Sequence, residues 1–255
     1  MNNTPLVEII AEMRWGEGNP KAPALLATAD DSAYIKLGIE VGKLGYHQLE
    51  RVVPEGFPVS GGTVVYRYRN VEKDQNTLYQ LGPGIFSING LPPYNSWEGF
   101  LPVIRNGLDA LWAVCPISQD QPIFLSLIYL DAFTKKHLGG MASEVFFKEI
   151  VGISNNKPES LVKFGGGSSA TSMRFMQTQK AEDGRELVID VAEGTLSGEY
   201  AIVMNTIAKA AQFKAAGPQD ILANFAVLHD MLHEVFFEMI RRNADLYNHM
   251  FKPKE

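Results

Sequence analysis

The run PIFLSLIYLDAF, residues 122–133, constrains the fold more than any other stretch of this sequence. Its side chains are almost all apolar at both alternating positions, a pattern typical of a β-strand that is covered on both faces. Such a strand needs paired neighbours on either side and packed layers above and below it. The run therefore predicts the central strand of a large sheet, and a chain of 255 residues is long enough to build one.

Shorter segments have the two-residue alternation of half-buried strands. LVEIIAEMRW (6–15) is apolar on one face and largely charged on the other, and in TVVYRYRN (63–70) Arg67 and Arg69 share one face. A hairpin is predicted at the turn Gly82-Pro83-Gly84. Three further strand-like runs, separated by turn signals, favour an antiparallel meander: 170–179, 185–193 and 198–208.

Two segments have the periodicity of amphipathic helices. One begins near Ser96, where Asn95 with Glu98 three residues later resembles a capping box, and extends to Trp112. The other extends from Pro218 to about His249. Together with the strands, these helices predict an α+β fold, in which a mostly antiparallel sheet carries amphipathic helices packed on one face.

The order of elements divides the chain into an N-terminal half, 1–153, and a C-terminal half, 170–255. They are joined by the polar, Gly-rich segment 154–169, which is interpreted as a flexible loop. No convincing sequence repeat relates the two halves. A fold of two similar halves, and a single domain that contains both, therefore remain open alternatives.

Charge and cysteine content argue against several classes of protein. The formal net charge is −6 and no basic stripe is present, which argues against a protein that binds duplex nucleic acid. The longest apolar run is too short to cross a membrane, and the first fifteen residues lack the basic-then-apolar pattern of a signal peptide. The single cysteine, Cys115, fits a reducing compartment. We therefore expect a soluble, cytoplasmic protein.

Four motifs, taken in combination, resemble one family. They are PLVEIIAEMRW at the start, IFSINGLPPYNSWEGFLPVI and LSLIYLDAF in the middle, and LHDMLHEVFFEMI near the end. These segments are similar to a sporadically distributed prokaryotic family of uncharacterised proteins of similar length. The chain departs from the family where members tend to read Leu-Arg-Tyr-(Ile)-Asn, since it has Leu127, Ile128, Tyr129, Leu130 and Asp131. The resemblance supports the architecture and implies no activity.

The motif HDMLH places His229 and His233 four residues apart on one helical face, which is the spacing of helical zinc sites. Two histidines do not complete a zinc site, so a third ligand would have to come from another His or from a carboxylate. The alternative is that both histidines form local hydrogen bonds where the helix meets the sheet. No complete nucleophilic constellation or phosphate-binding motif accompanies them, and no cofactor is predicted.

The segment GIFSINGLPPYNSWEGFLP, residues 84–102, is unusually rich in aromatic residues and proline. Phe86 shares a strand face with Ile88, and Trp97 begins the apolar stripe of the following helix, so the segment predicts a strand-to-helix corner that fills the core. Tyr94 and Asn89 are polar-tipped residues of this corner, where a ligand or partner could contact them.

The two arginines at 67 and 69 permit two interpretations. They could line a cleft together with the charged face of residues 6–15, or they could form cross-strand ion pairs on a solvated surface. The candidate contacts for a ligand or partner are therefore Tyr94, Asn89, Trp97, Arg67 and Arg69.

The predicted function follows from the absence of a complete catalytic motif in the sequence. The sequence predicts a binding or interaction protein without catalysis, whose protein or small-molecule partner is unknown. A metal-dependent hydrolase built on the HDMLH helix is the alternative. The wide apolar stripe of the last helix, 218–249, further predicts a homodimer, with this helix or the helix 96–112 contributing to the contact.

Overall fold

The computed structural model describes residues 4–19, 26–28, 31–70, 76–93, 96–154, 159–164 and 172–251. The strands are β1 (Leu6–Trp15), β2 (Leu26–Thr28), β3 (Gln48–Arg51), β4 (Pro58–Ser60), β5 (Tyr66–Arg69), β6 (Thr77–Gly82), β7 (Ile85–Gly90), β8 (Ile123–Thr134), β9 (Arg174–Lys180), β10 (Glu186–Leu196) and β11 (Glu199–Lys209). The helices are α1 (Ser32–Gly42), α2 (Trp97–Val114), α3 (Lys135–Leu138), α4 (Ser143–Phe146), α5 (Glu159–Phe164), α6 (Pro218–Arg241) and α7 (Ala244–Phe251). A 3₁₀ turn (Gly16–Gly18) follows β1, and a π-helical turn (Phe147–Val151) follows α4.

One antiparallel sheet holds nine of these strands in the order β3-β5-β6-β7-β1-β8-β11-β10-β9. Each strand pairs antiparallel with its neighbours, and β2 and β4 form a separate two-stranded sheet. The predicted α+β class, with a mostly antiparallel sheet, is therefore confirmed. The central position predicted for residues 122–133 is also confirmed, since β8 lies between β1 and β11.

The strand order of the sheet, and the connection from its strands into a long helix, occur twice. The N-terminal path β5-β6-β7-β1 leads from β7 into α2, and the C-terminal path β9-β10-β11-β8 leads from β11 into α6. The two paths meet where β1 pairs with β8, with Ile10 directly opposite Ile128. Two similar halves, which the sequence left open, thus share one continuous sheet. This topological division falls between α2 and β8, so β8 belongs with the C-terminal half.

The long helices pack on one face of the sheet, as predicted. Ile9, Ala11 and Met13 of β1 are fully buried on that face, in one apolar cluster with residues of α1, α2 and α6. A second cluster lies beneath the C-terminal half, where Phe133 and Met204 pack with α4, α6 and α7. Each large side chain buried in this way stabilises the fold by about 1.5–3 kcal/mol, which explains why the two-residue alternation fixes this face.

The second face of the sheet is not covered in the way that the apolar run 122–133 predicts. Phe124, Ile128 and Leu130 of β8 point away from the helices and remain partly exposed. Among the described residues, cover of this second face is therefore partial. The apolar side chains on this face instead flank one another across strands, since Ile128 lies opposite both Ile10 and Ile207.

The C-terminal helix is divided, although the sequence predicts a single helix to about His249. Helix α6 ends at Arg241. Asn243 caps the start of α7, since its side-chain Oδ1 accepts a hydrogen bond from the backbone N–H of Leu246 at 2.8 Å. Helix α7 packs against α6, with the rings of Phe251 and Phe237 5.2 Å apart. This packing covers part of the wide apolar stripe, from which a dimer through this helix was predicted.

Two local predictions also differ from the structure. The N-cap of α2 is Ser96, whose Oγ accepts a hydrogen bond from the backbone N–H of Gly99 at 3.3 Å, whereas Asn95 was expected in that role and lies outside the described residues. Part of the predicted loop 154–169 is helical, since α5 spans Glu159–Phe164. In the described part of the chain, no helix is both long and apolar enough to cross a membrane.

Candidate functional site

A cavity of about 280 Å³ lies between the first turn of α2, the middle of α6 and strand β8. Residues preceding and beginning β1, Thr4–Leu6, and the last residue of α7 also line it. Its aromatic walls are Trp97, Tyr129, Phe236, Phe237 and Phe251, and its acidic and histidine lining residues are Glu98, Asp131, His229 and His233. We call this cavity the α2–α6 pocket. It brings together three residues that the sequence singled out separately, namely Trp97, His229 and His233.

Asp131 is the most unusual group in the α2–α6 pocket. It is 3 % exposed, and burial alone shifts its pKa, with no contribution from a hydrogen bond or ion pair with the described residues. A β-bulge in β1 lies opposite it, because the pairing register shifts between Leu6 and Glu8. Burial raises the pKa of Asp131 to about 7, since removal from water disfavours the charged form. The carboxyl group is therefore close to half-ionised at neutral pH.

His229 is held in a fixed orientation from two sides. Its imidazole stacks on the indole of Trp97, with ring centroids 4.2 Å apart and planes within 4°. Its Nδ1 lies 2.6 Å from the hydroxyl oxygen of Tyr129, at hydrogen-bonding distance. Burial, and secondarily the neighbouring His233, lower the pKa of His229 to about 4. The imidazole is therefore neutral at pH 7 and adds no positive charge to the pocket.

His233 and Glu98 lie exposed at the rim of the pocket. The ring of His233 lies 5.7 Å from that of His229, so the predicted same-face placement of the two histidines holds. However, the described residues contain no group of three or more His, Cys, Asp or Glu side chains placed to hold a metal ion. A metal site on this helix therefore lacks a third protein ligand in the described part of the chain.

The other predicted contacts lie on the opposite face of the sheet. Arg67 Nε donates to Gln80 Oε1 at 2.8 Å, Gln80 Nε2 donates to Asn89 Oδ1 at 3.0 Å, and Asn89 Nδ2 donates to Glu8 Oε1 at 2.7 Å. We call this chain of bonds across β5, β6, β7 and β1 the polar ladder. Because its members bond to one another, the arrangement resembles the cross-strand interpretation more closely than an open cleft.

Two further candidates lie outside both the pocket and the ladder. Arg69 forms an exposed ion pair with Glu50, with Nε and Oε2 3.5 Å apart. Tyr94 lies outside the described residues. The predicted contacts are thus divided between two faces of the sheet.

The sequence singled out neither Asp131 nor Tyr129 as a functional residue. The two lie two positions apart on β8, and both project toward the helices. A signal was present, because Asp131 is the only charged residue in the otherwise apolar run 122–133. A carboxylate in a central strand has to be paired or to change its pKa, and that rule could have identified it.

A larger cleft, of about 420 Å³, lies beside Tyr46, Thr77 and Tyr79. Its buried hydroxyls are already bonded, since Tyr46 Oη lies 2.5 Å from Thr77 Oγ1 and Tyr79 Oη donates to the carbonyl of Val103 at 2.9 Å. The α2–α6 pocket is therefore the better candidate despite its smaller volume.

Comparison with known proteins adds no assignment. No protein-family model, curated protein or solved structure matches the chain. The class of site therefore rests on geometry: an aromatic-walled pocket on the helical side of an antiparallel sheet, with a buried carboxyl group in its lining.

Proposed function

We propose that this chain is a small-molecule-binding protein without catalysis, and that its ligand occupies the α2–α6 pocket. The observation that carries the proposal is the buried carboxyl group of Asp131, which has no partner among the described residues. Burying such a group costs stability unless a partner is supplied. A ligand that donates a hydrogen bond or a positive charge to Asp131 supplies that partner.

The surroundings of Asp131 favour binding over catalysis. The pocket lining contains no cysteine, and the lone thiol, Cys115, has a pKa raised by burial, which makes it a weak nucleophile. His229 is engaged by Trp97 and Tyr129, as expected of a wall that orients a ligand. Perturbed pKa values such as those of Asp131 and His229 are typical of functional sites of either kind.

A metal-dependent hydrolase that uses His229 and His233 remains the second candidate function. The observation in its favour is that both imidazoles line the same pocket, with Asp131 among the other lining residues. It requires a third metal ligand beyond the groups found in the described chain. Elemental analysis of purified protein separates the two proposals, since stoichiometric zinc supports the hydrolase and its absence supports the binding protein.

The binding proposal is tested by a thermal-shift screen of a small-molecule library. Hits are compared on the wild-type protein, on Asp131→Asn and on Arg69→Ala, a control on the opposite face of the sheet. A ligand at a hundred times its Kd stabilises the folded state by about 2.7 kcal/mol. We expect hits to stabilise wild type and the control equally and Asp131→Asn less. Equal stabilisation of all three proteins by every hit would refute the assignment to this pocket.

Two further expectations, on cellular location and on oligomeric state, accompany this proposal. We propose that the protein is cytoplasmic, as the sequence composition suggests, and that it forms a homodimer. The wide apolar stripe of α6 supports the dimer less than expected, because α7 and the pocket account for Phe236 and Phe237. Light scattering tests the dimer, since the monomer mass is 28.2 kDa.

A further inference from the structure

We infer that the ligand of the α2–α6 pocket is a protonated amine with a compact apolar body, bound with its ammonium group against the carboxylate of Asp131. This inference rests on the proposed function and names the chemical class that the pocket selects. It follows from the sign of the charges that line the pocket, from the aromatic side chains of its walls and from the volume of the cavity.

The charges of the lining select a cation. The ionisable lining residues are Asp131 on β8, Glu98 on α2, His229 and His233 on α6, and Tyr129 beside Asp131 on its own strand. None of the described lining residues is Lys or Arg. His229 is neutral at pH 7, because burial lowers its pKa. Among the described lining residues, an anionic ligand would therefore meet a buried carboxyl group and no fixed positive charge, whereas a cation meets a partner. Arg241 is not one of these lining residues, but its Cζ lies 5.3 Å from the ring centre of Phe237.

The walls suit an organic cation better than a metal ion. Phe236, Phe237 and Phe251 present aromatic rings, which attract an ammonium group through the ring quadrupole and pack against an apolar body. Calcium and magnesium prefer several oxygen ligands, and among the described lining residues Asp131 is the only buried carboxyl group. A single deep carboxylate among aromatic rings is the arrangement expected for an ammonium group.

The volume limits the body of the ligand. A cavity of about 280 Å³ is close to the lower end of the range of small-molecule sites. An amine of the size of benzylamine fits this space. Benzylamine is therefore a suitable probe, and benzyl alcohol and benzoate are its neutral and anionic counterparts.

Binding of an amine to Asp131 moves one proton. Below pH 7 the carboxyl group holds its proton, and the ammonium group pairs with the ionised form, so complex formation releases that proton to solvent. Affinity should therefore rise with pH, by about thirtyfold between pH 5.5 and pH 8, because the ionised fraction of a group with a pKa of about 7 rises by that factor. A ligand that accepts a hydrogen bond from the protonated carboxyl group would show the opposite trend.

Calorimetric titration of the three probes into full-length protein tests the inference. At pH 8 we expect benzylamine to bind at least tenfold more tightly than benzyl alcohol, and benzoate to bind most weakly. At pH 5.5 we expect benzylamine to bind about thirtyfold more weakly than at pH 8 and to release close to one proton. Asp131→Asn should abolish the preference for the amine, whereas Arg69→Ala should retain it.

Failure of this inference is distinguishable from failure of the proposed function. Equal affinity for the three probes, affinity for benzylamine that does not change with pH, or an unchanged preference in Asp131→Asn would overturn the amine assignment. So would the absence of benzylamine binding at millimolar concentration. In each case the thermal-shift screen, which includes neutral and anionic compounds, decides separately whether the pocket binds any small molecule.

Discussion

The imidazole of His229 stacks on the indole of Trp97 with ring centroids 4.2 Å apart and planes within 4°. Trp97 begins α2 and His229 lies in the middle of α6, so the contact joins the long helices of the two halves. It also forms one wall of the α2–α6 pocket. Because the indole covers one side of the imidazole, the stack keeps His229 away from water and neutral.

Replacement of Trp97 by alanine should raise the pKa of His229 from about 4 toward its usual value of about 6.5. The substitution admits water to the imidazole, and burial is the main cause of the lowered pKa. NMR titration of the histidine ring signals measures this change. Trp112→Ala, on the same helix, is the control and should leave the pKa of His229 unchanged. An unchanged pKa in Trp97→Ala would show that the stack does not control the imidazole.

The same lowered pKa of His229 makes one contribution to the pH dependence of stability. The unfolded chain takes up the proton first, so the contribution of His229 should fall as pH decreases from about 6.5 to about 4, while the contribution of Asp131 rises in the same range. Trp97→Ala should weaken this part of the pH dependence, together with the shift in pKa.

Replacement of Asp131 by asparagine should stabilise the protein relative to wild type as pH rises. The folded-state pKa of Asp131 is about 7 and the unfolded value about 3.9, so the wild-type protein loses stability as pH rises through this window. The stability of Asp131→Asn minus that of wild type should increase by about 3 kcal/mol between pH 5 and pH 8. Urea unfolding at the two pH values measures it, and a constant difference would mean that the carboxyl group has an ordinary pKa.

Replacement of Asn89 by alanine should destabilise the fold by about 1–3 kcal/mol, because Glu8 loses its donor in the polar ladder and the side-chain amide of Gln80 keeps Ser87 but loses Asn89 as an acceptor. Arg69→Ala is the matched control, since the exposed pair of Arg69 with Glu50 should be worth no more than about 1 kcal/mol. Urea unfolding compares the two variants. Equal effects would indicate that the ladder is solvated and contributes little. Neither substitution should change ligand binding.

Deletion of residues 1–15 should prevent folding and lead to aggregation. Strand β1 pairs with β7 on one side and β8 on the other, so its loss separates the two halves of the sheet and exposes two strand edges. Expression solubility and circular dichroism measure the outcome. A soluble truncated protein that unfolds cooperatively would contradict the central role of β1.

Much of the fold could be predicted from local patterns. The alternation of LVEIIAEMRW predicted β1 at its observed bounds, because a strand with one buried face fixes which residues point inward. The break between α6 and α7 was not predicted, because the apolar periodicity is present on both sides of Asn243. The break depends on the cap that the Asn243 side chain provides to α7. The partial exposure of the second face of β8 was not predicted, because it depends on how apolar neighbours on adjacent strands shield one another.

The candidate site was only partly predictable. The four-residue spacing places His229 and His233 on one helical face without tertiary information. Their neighbours Trp97 and Asp131 come from α2 and β8, and only the packing of these elements against α6 brings them together. Asn89 was placed near Trp97 by sequence proximity, yet the alternation of β7 directs its side chain to the opposite face of the sheet.

Crystallographic fragment screening tests most directly whether the α2–α6 pocket is the binding site. A library of cationic, neutral and anionic fragments should give bound fragments in this pocket, with a donor atom about 3 Å from the Asp131 carboxylate. The Asp131→Asn protein should lose the cationic fragments. Fragments that bind only elsewhere, such as in the cleft beside Tyr46 and Thr77, while the α2–α6 pocket stays empty throughout the screen, would contradict the proposed function.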